Sequence, residues 1–141
     1  LSPSSAASDV YKRQEKYKKI VKNKGLDSRV FFLGFRRDRE VFLRGSDIMV
    51  LPARFDAIGN VIVEALASGT PVVTTRYAGG GELIKDGVNG FVCKTLEEFG
   101  EKLSYAIDKI GNFKEDDIIE SVKDYSWENH YKKLMDIFDS I

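Results

Sequence analysis

Residues 47–75 read DIMVLPARFDAIGNVIVEALASGTPVVTT, which sets two strand-length apolar runs on either side of a helix-length one. Each outer run is too short for a helix, and Pro52 and Pro71 punctuate their ends. The central run has no breaker between Asn60 and Ser68, and Gly69 then closes it. A strand, a helix and a strand in this order close as a βαβ unit, which makes the strands parallel. A parallel sheet is apolar on both faces, so the rest of the chain must supply helices to cover it. The fold class is therefore α/β, a parallel sheet with flanking helices.

The remaining segments suit that architecture. EKYKKIVKNK (15–24) puts Tyr17, Ile20 and Val21 on one helical face, with Gly25 as the stop. RVFFLG (29–34) reads as a short buried strand, and DREVFLRGS as a short helix that Asp38 can cap. DIMVLP reads as a second buried strand. The glycines of AGGG open a helical turn, ELIKDG, and the DGVNG turn leads into a last strand, FVC. Three helical runs follow, TLEEFGEKLSYAIDKI, KEDDIIESVKDY and SWENHYKKLMDIF, the last with Ser126 as its N-cap.

Composition removes several function classes. Lys+Arg and Asp+Glu both total 22 in 141 residues, which gives no electrostatic pointer to nucleic acid. The single cysteine, Cys93, supports neither a disulfide framework nor a zinc cluster and reads as a strand core residue. No apolar run is long enough to span a bilayer. LSPSSAAS lacks the apolar centre of a signal peptide. The following DVYKRQ looks like a translated transposon end of the kind used in sequencing adapters. Residues 1–14 are accordingly expected to be non-native or disordered, and the domain is taken as 15–141.

Open parallel sheets bind ligands beyond the carboxyl ends of their strands. The loops at Gly34–Arg37, Ala53–Gly59 and Arg76–Gly81 should therefore share one edge. Asp56 would lie in the second of these loops and Glu64 in the second turn of the next helix, both facing one cleft. The helix start near Gly59 offers backbone N–H groups to an anion, and glycine permits close approach. Carboxylates accept and hydroxyls donate, so the pattern suits an anion with a polyol. The residues alone leave room for a solvated Glu64 and an ordinary loop acid at Asp56. The apolar neighbours of Glu64, from Val61 to Ala67, weigh against the first, because an unpaired carboxylate there is costly.

From RVFFLGFRRD through GSDIMVLPARFDAIGNVIVEALASGTPVVTTRYAGGGELIKDGVNGFV, the chain resembles the C-terminal, donor-binding domain of GT-B retaining glycosyltransferases of family 4. That family sets an acid, seven intervening residues and then a glutamate, the spacing of Asp56 and Glu64, and this chain matches its pattern at Pro52, Gly59, Glu64, Ala65, Ala67, Gly69, Pro71 and Val72. The ending YSWENHYKKLMDIF resembles the family's terminal helix. FRRD and LPARFDAIG are most similar to lipopolysaccharide core glucosyltransferases.

The resemblance implies a Rossmann-like sheet forming part of a GT-B C-terminal domain. It implies that Glu64 binds ribose hydroxyls and that Asp56, one methylene shorter than the usual Glu, faces the transferred sugar. These two are the catalytic candidates. Ala57, Ile58 and Gly59 would line the sugar and diphosphate, Phe35 and Arg36 would lie beside the base, and Gly79 would belong to a nearby glycine loop. The donor would be a nucleotide diphosphate sugar, UDP-linked, with no metal and no other cofactor. The acceptor, a glycan or lipid, would be held by an N-terminal domain absent here, together with the family's basic grip on the diphosphate. The fragment alone is thus expected to be inactive. The full enzyme would be cytoplasmic, with peripheral association at the inner membrane face left open. Rival readings are a GT-B-fold epimerase or phosphorylase, or a non-enzymatic nucleotide-binding module. Asp116–Asp117 reads as a helix N-terminal charge pair, Lys16–Lys24 as a solvated face, and His130 as structural or exposed, far from the cleft in chain order.

Overall fold

A computed structural model describes residues 5–56 and 59–140, with side chains from residue 13 onward. The chain divides into two compact units, Leu1–Arg37 and Asp38–Ile141. The first holds helix α1, Ser5–Asn23, followed by a chain without regular structure. The helix runs through residues 5–14, which the sequence left outside the fold. Its Tyr17 and Ile20 are exposed, so the apolar face read from the sequence covers little.

The expected strand at 29–34 does not form. Phe31 and Leu33 are exposed, and the segment joins no ladder among the described residues. β-branched and aromatic content gives a segment the ability to pair, but a strand exists only with a neighbour.

The second unit carries the βαβ core. Its elements are α2 (Arg39–Arg44), β1 (Met49–Leu51), α3 (Asn60–Ala67), β2 (Val72–Thr75), a 3-10 turn (Gly79–Leu83) and β3 (Gly90–Cys93). These are followed by α4 (Leu96–Asp108), α5 (Glu115–Glu120) and α6 (Trp127–Asp139), with short 3-10 turns at Ile110–Asn112 and Lys123–Tyr125. The strands form a three-stranded sheet in the order β1-β2-β3, parallel throughout, with Met49 opposite Val72 and Val72 opposite Gly90. The expected α/β architecture is present.

β2 is central and buried at every position. Its alternation divides the core in two. Val72 packs with Ile62, Ala65, Leu66 and Ile118, whereas Val73 packs with Phe91, Cys93, Phe99 and Ala106. β1 is an edge strand and only half-buried, contrary to the sequence expectation. Met49 and Leu51 join the core shared with α3, while Val50 points to the face where α4 covers β2 and β3 and stays 39% exposed.

Local signals explain the helix ends. α3 closes in a Schellman arrangement, with Thr70 N–H donating to Ala65 O and Gly69 N–H to Leu66 O, each at 3.0 Å. Ser126 Oγ accepts from Asn129 N–H, as its N-cap position requires. Asp38 occupies the N-cap position of α2, but its side chain makes no capping bond. Asp116 and Asp117 lie in the first turn of α5, where the helix dipole favours them. Buried Asn89 is fully used: Nδ2 donates to Leu83 O and Ser121 Oγ, and Oδ1 accepts from Lys85 N–H.

Beside β3, Lys102 donates to Asp86 Oδ2 at 2.7 Å and to Val92 O at 3.1 Å. Burial works against its charge, but Asp86 and Glu98 outweigh that and raise its pKa above the ordinary 10.5. Burial also pushes the Cys93 thiol above its usual 9.0. The backbone N–H of Lys94, donating to Glu98, lowers that carboxyl below 4.5.

Two predictions follow from this packing. A Cβ on Gly90, whose φ is 152°, would lie 1.9 Å from Val72 O and break the β2–β3 ladder. Gly90→Ala should cost about 3 kcal/mol or more in urea unfolding; a loss under about 1 kcal/mol would contradict this contact. Cys93 and Lys102 hold their protons more tightly folded than unfolded. The stability they contribute is intact below 9.0 and 10.5 respectively and is lost as pH rises towards their folded values. Glu98 acts in the opposite sense, its contribution being present above 4.5 and lost as pH falls through its lower folded value. The melting temperature should therefore fall above about pH 9, and Cys93→Ala, though less stable at neutral pH, should show a shallower alkaline decline.

Candidate functional site

The loops after β1 and β2 meet at the carboxyl edge of the sheet. Asp56 N–H donates to Tyr77 O at 3.0 Å, and Gly79 N–H donates to Asp56 O at 2.7 Å. This isolated parallel bridge between Asp56 and Ala78 continues the sheet pattern beyond the strands. Two of the three loops expected at one edge are thus brought together. Phe35 and Arg36 belong to the first unit, where Phe35 is exposed. Ala57 and Ile58 lie outside the described residues.

Asp56 is half-buried, and its Oδ1 accepts from Gly59 N–H at 3.1 Å. The carboxylate therefore braces the entry to α3. Gly59 is buried, with φ 60° in the left-handed region, and a Cβ there would stand 2.5 Å from Gly80 N. The space left by the missing side chain is occupied by Gly80. Glycine is thus required by the fold at this point, whatever approaches the helix start.

Glu64 lies on the half-buried side of α3, and its Oε1 accepts from Arg39 Nη2 at 3.2 Å. The Arg39 and Glu64 side chains are 62% and 38% exposed, so this pair sits in a solvent-screened setting. Glu64 also lines an open cavity of about 600 Å³ with Asn60 and Val63 of α3. The opposite wall comes from Asp124, Tyr125, Ser126, Trp127, His130 and Lys133. Asp56 is not among the lining residues.

His130 is exposed, as expected, but chain order misleads about its place. It shares the Glu64 cavity, and its ring meets Trp127 edge-on at 5.9 Å and 89°. The available signal was helical spacing after a good N-cap: Trp127, His130 and Lys133 recur at i, i+3 and i+6.

This geometry gives two contrasting expectations. Gly59→Ala should destabilise the chain by about 1–3 kcal/mol through strain and the Gly80 contact. Arg39→Ala should change stability by less than about 1 kcal/mol, since the pair is exposed. Denaturant titration checks both, and a reversed order would contradict the packing described here.

Comparison with known proteins bears on this site. Residues 7–109 match the glycosyl transferases group 1 family. The lipopolysaccharide core biosynthesis glycosyltransferase LpsE of Rhizobium meliloti (strain 1021) is 39% identical over 74 residues, covering 52% of this chain and 22% of LpsE. Among solved structures, Anabaena HepE in complex with UDP superposes with a TM-score of 0.78 at 24% identity, covering 90% of this chain and 36% of that one. The C-terminal domain of LpcC, a group 1 family glycosyl transferase from Francisella tularensis, gives 0.66 at 27% identity, covering 79% of this chain and 60% of that one. The chain spans between 22% and 31% of the length of the first three curated relatives it matches. The family match takes in well over half of the chain, and the sheet it covers has the fold of those neighbours. This chain belongs to the glycosyl transferases group 1 family.

Proposed function

We propose that this chain is the donor-binding part of a retaining glycosyltransferase that moves a hexose from a UDP-sugar to a hydroxyl acceptor. The observation that carries the reading is Glu64, a carboxylate on α3 that faces a cavity of about 600 Å³. That volume lies in the usual range for small-molecule sites. Arg39 holds Oε1, and a carboxylate has capacity for further donors, such as two vicinal ribose hydroxyls. The UDP named in the HepE structure supports the nucleotide, and LpsE supports a role in building a lipopolysaccharide or related glycan.

In the reaction, the bond between the anomeric carbon and the diphosphate breaks. UDP leaves with the bonding electron pair, the acceptor oxygen bonds that carbon on the same face, and the hydroxyl proton passes to the departing diphosphate. The chain's contribution is position and charge: Glu64 fixes the ribose, and Asp56 orients the sugar from the loop it braces. No metal enters this reading. The acceptor is a glycan or lipid bound by a part of the protein outside these residues. In this reading the full enzyme works in the cytoplasm, and peripheral association with the inner membrane face stays open. Among the described residues, no helix is long and apolar enough to cross a membrane. Because the chain spans so little of its relatives, the 141 residues alone should not turn over donor.

Calorimetric titration with UDP, UDP-glucose and AMP tests this proposal. The uridine ligands should bind more tightly than AMP, and Glu64→Gln should weaken UDP by about tenfold or more. Asp56→Asn retains an oxygen for the Gly59 N–H. It should leave UDP affinity nearly unchanged while transfer falls in a longer enzyme containing this domain. Equal affinity for UDP and AMP, or an inert Glu64→Gln, would replace the donor site with a general nucleotide-binding module.

A further inference from the structure

Arg39 opens α2 and reaches across to α3, where its Nη2 donates to Glu64 Oε1 at 3.2 Å. Arg39 does not line the cavity that Glu64 faces, so it leaves that side of the carboxylate to a ligand. The helix gives no reason for a cation at this position, because the start of a helix favours anions. Stability gives none either, since an ion pair with side chains 62% and 38% exposed contributes little.

The helix that carries Arg39 is mounted independently of the ion pair. The buried Thr70 hydroxyl donates to Leu43 O, and Leu43 packs against the core that contains Ile62, Ala65 and Leu66. Thr70 belongs to the Schellman turn that ends α3, so α2 is tied to the same helix that bears Glu64. Arg39 therefore stands beside Glu64 before any ligand arrives. A glutamate has several side-chain torsions to fix, and a planar, permanently charged guanidinium on one oxygen restricts them in advance. A ligand that meets an oriented carboxylate does not have to order it on binding.

We infer that Arg39 is a positioning residue for donor recognition: it holds Glu64 Oε1 and thereby turns the remaining acceptor capacity of the carboxylate toward the vicinal hydroxyls of the donor ribose. This rests on the donor-binding reading above. Arg39 touches no part of the donor itself. Its effect appears as discrimination between ribose and 2′-deoxyribose, because a site built to hydrogen-bond a hydroxyl rejects the analogue that lacks it.

Calorimetry on the full 141-residue chain with UDP and 2′-deoxy-UDP tests this. The wild type should bind UDP about tenfold more tightly than 2′-deoxy-UDP. Arg39→Ala should weaken UDP by about fivefold and 2′-deoxy-UDP by less than about twofold, so that the preference shrinks. Where the alanine variant does not fold, Arg39→Gln serves the same comparison. In a Glu64→Gln background, Arg39→Ala should cost no further UDP affinity, since the group it orients is already lost. An unchanged preference in Arg39→Ala, with Glu64→Gln still weakening UDP, overturns the positioning role while the donor-binding reading stands. Additive losses in the double variant overturn it as well, because Arg39 would then act independently of Glu64. Equal affinity of the wild type for UDP and 2′-deoxy-UDP, or no binding of UDP at all, overturns the ribose assignment of Glu64, and both readings fall together.

Discussion

The site depends on a backbone bridge beyond the ends of the strands. β1 stops at Leu51 and β2 at Thr75, yet Asp56 exchanges hydrogen bonds with Tyr77 and Gly79 across the two loops. Two such bonds contribute about 1 kcal/mol each, comparable with the cost of ordering one or two loop residues. They hold because Gly59 and Gly80 pack backbone to backbone beside them and because the Asp56 carboxylate accepts from Gly59 N–H. Close packing, hydrogen bonding and the direction in which α3 leaves the sheet are therefore set together. A side chain at Gly59 would disturb all three.

Under the donor-binding proposal, this coupling would give Asp56 two jobs. As a brace it needs an oxygen aimed at Gly59 N–H. As a partner for a sugar it needs acceptor capacity directed outward. One carboxylate can do both, since each oxygen accepts more than once. A one-methylene-shorter acid suits the first job, because the brace spans only three residues and a shorter side chain reaches with fewer rotamers to fix.

How much could be read beforehand varied with the physics involved. The βαβ core was legible because β2 is a short, wholly β-branched run (VVTT), α3 has no breaker, and Gly69 and Pro71 mark where one ends and the other begins. Ser126 was legible as a cap because its bond to Asn129 N–H is local. The 29–34 segment was misread because pairing depends on a neighbouring strand, which local composition does not reveal. Val50 was misread because burial on an edge strand depends on how far α4 reaches across the sheet. At the site, the glycine at 59 was read as letting an anion approach the helix start, whereas its space is filled by the backbone of Gly80, twenty-one residues away. That the start of α6 borders the Glu64 cavity was missed for the same reason: sequence spacing puts Trp127, His130 and Lys133 on one stripe but does not say what that stripe faces.

The Arg39–Glu64 pair shows why stability alone does not account for the site. Both side chains keep substantial solvent contact, and exposed pairs of this kind are worth about 0–1 kcal/mol. An apolar residue at position 64 could join the neighbouring core of Ile62, Ala65 and Leu66 at greater benefit to the fold. Arg39 cancels much of the cost of a charge beside that core, but it gives no reason for the charge to be there. The cavity supplies one. On the donor-binding proposal its floor would need an acceptor that points outward and keeps one orientation, and an ion pair on one oxygen would fix the carboxylate while leaving the other oxygen to a ligand. In that arrangement Arg39 sets the direction of the carboxylate, and the small stability of the pair is what a ligand-facing group would be expected to show.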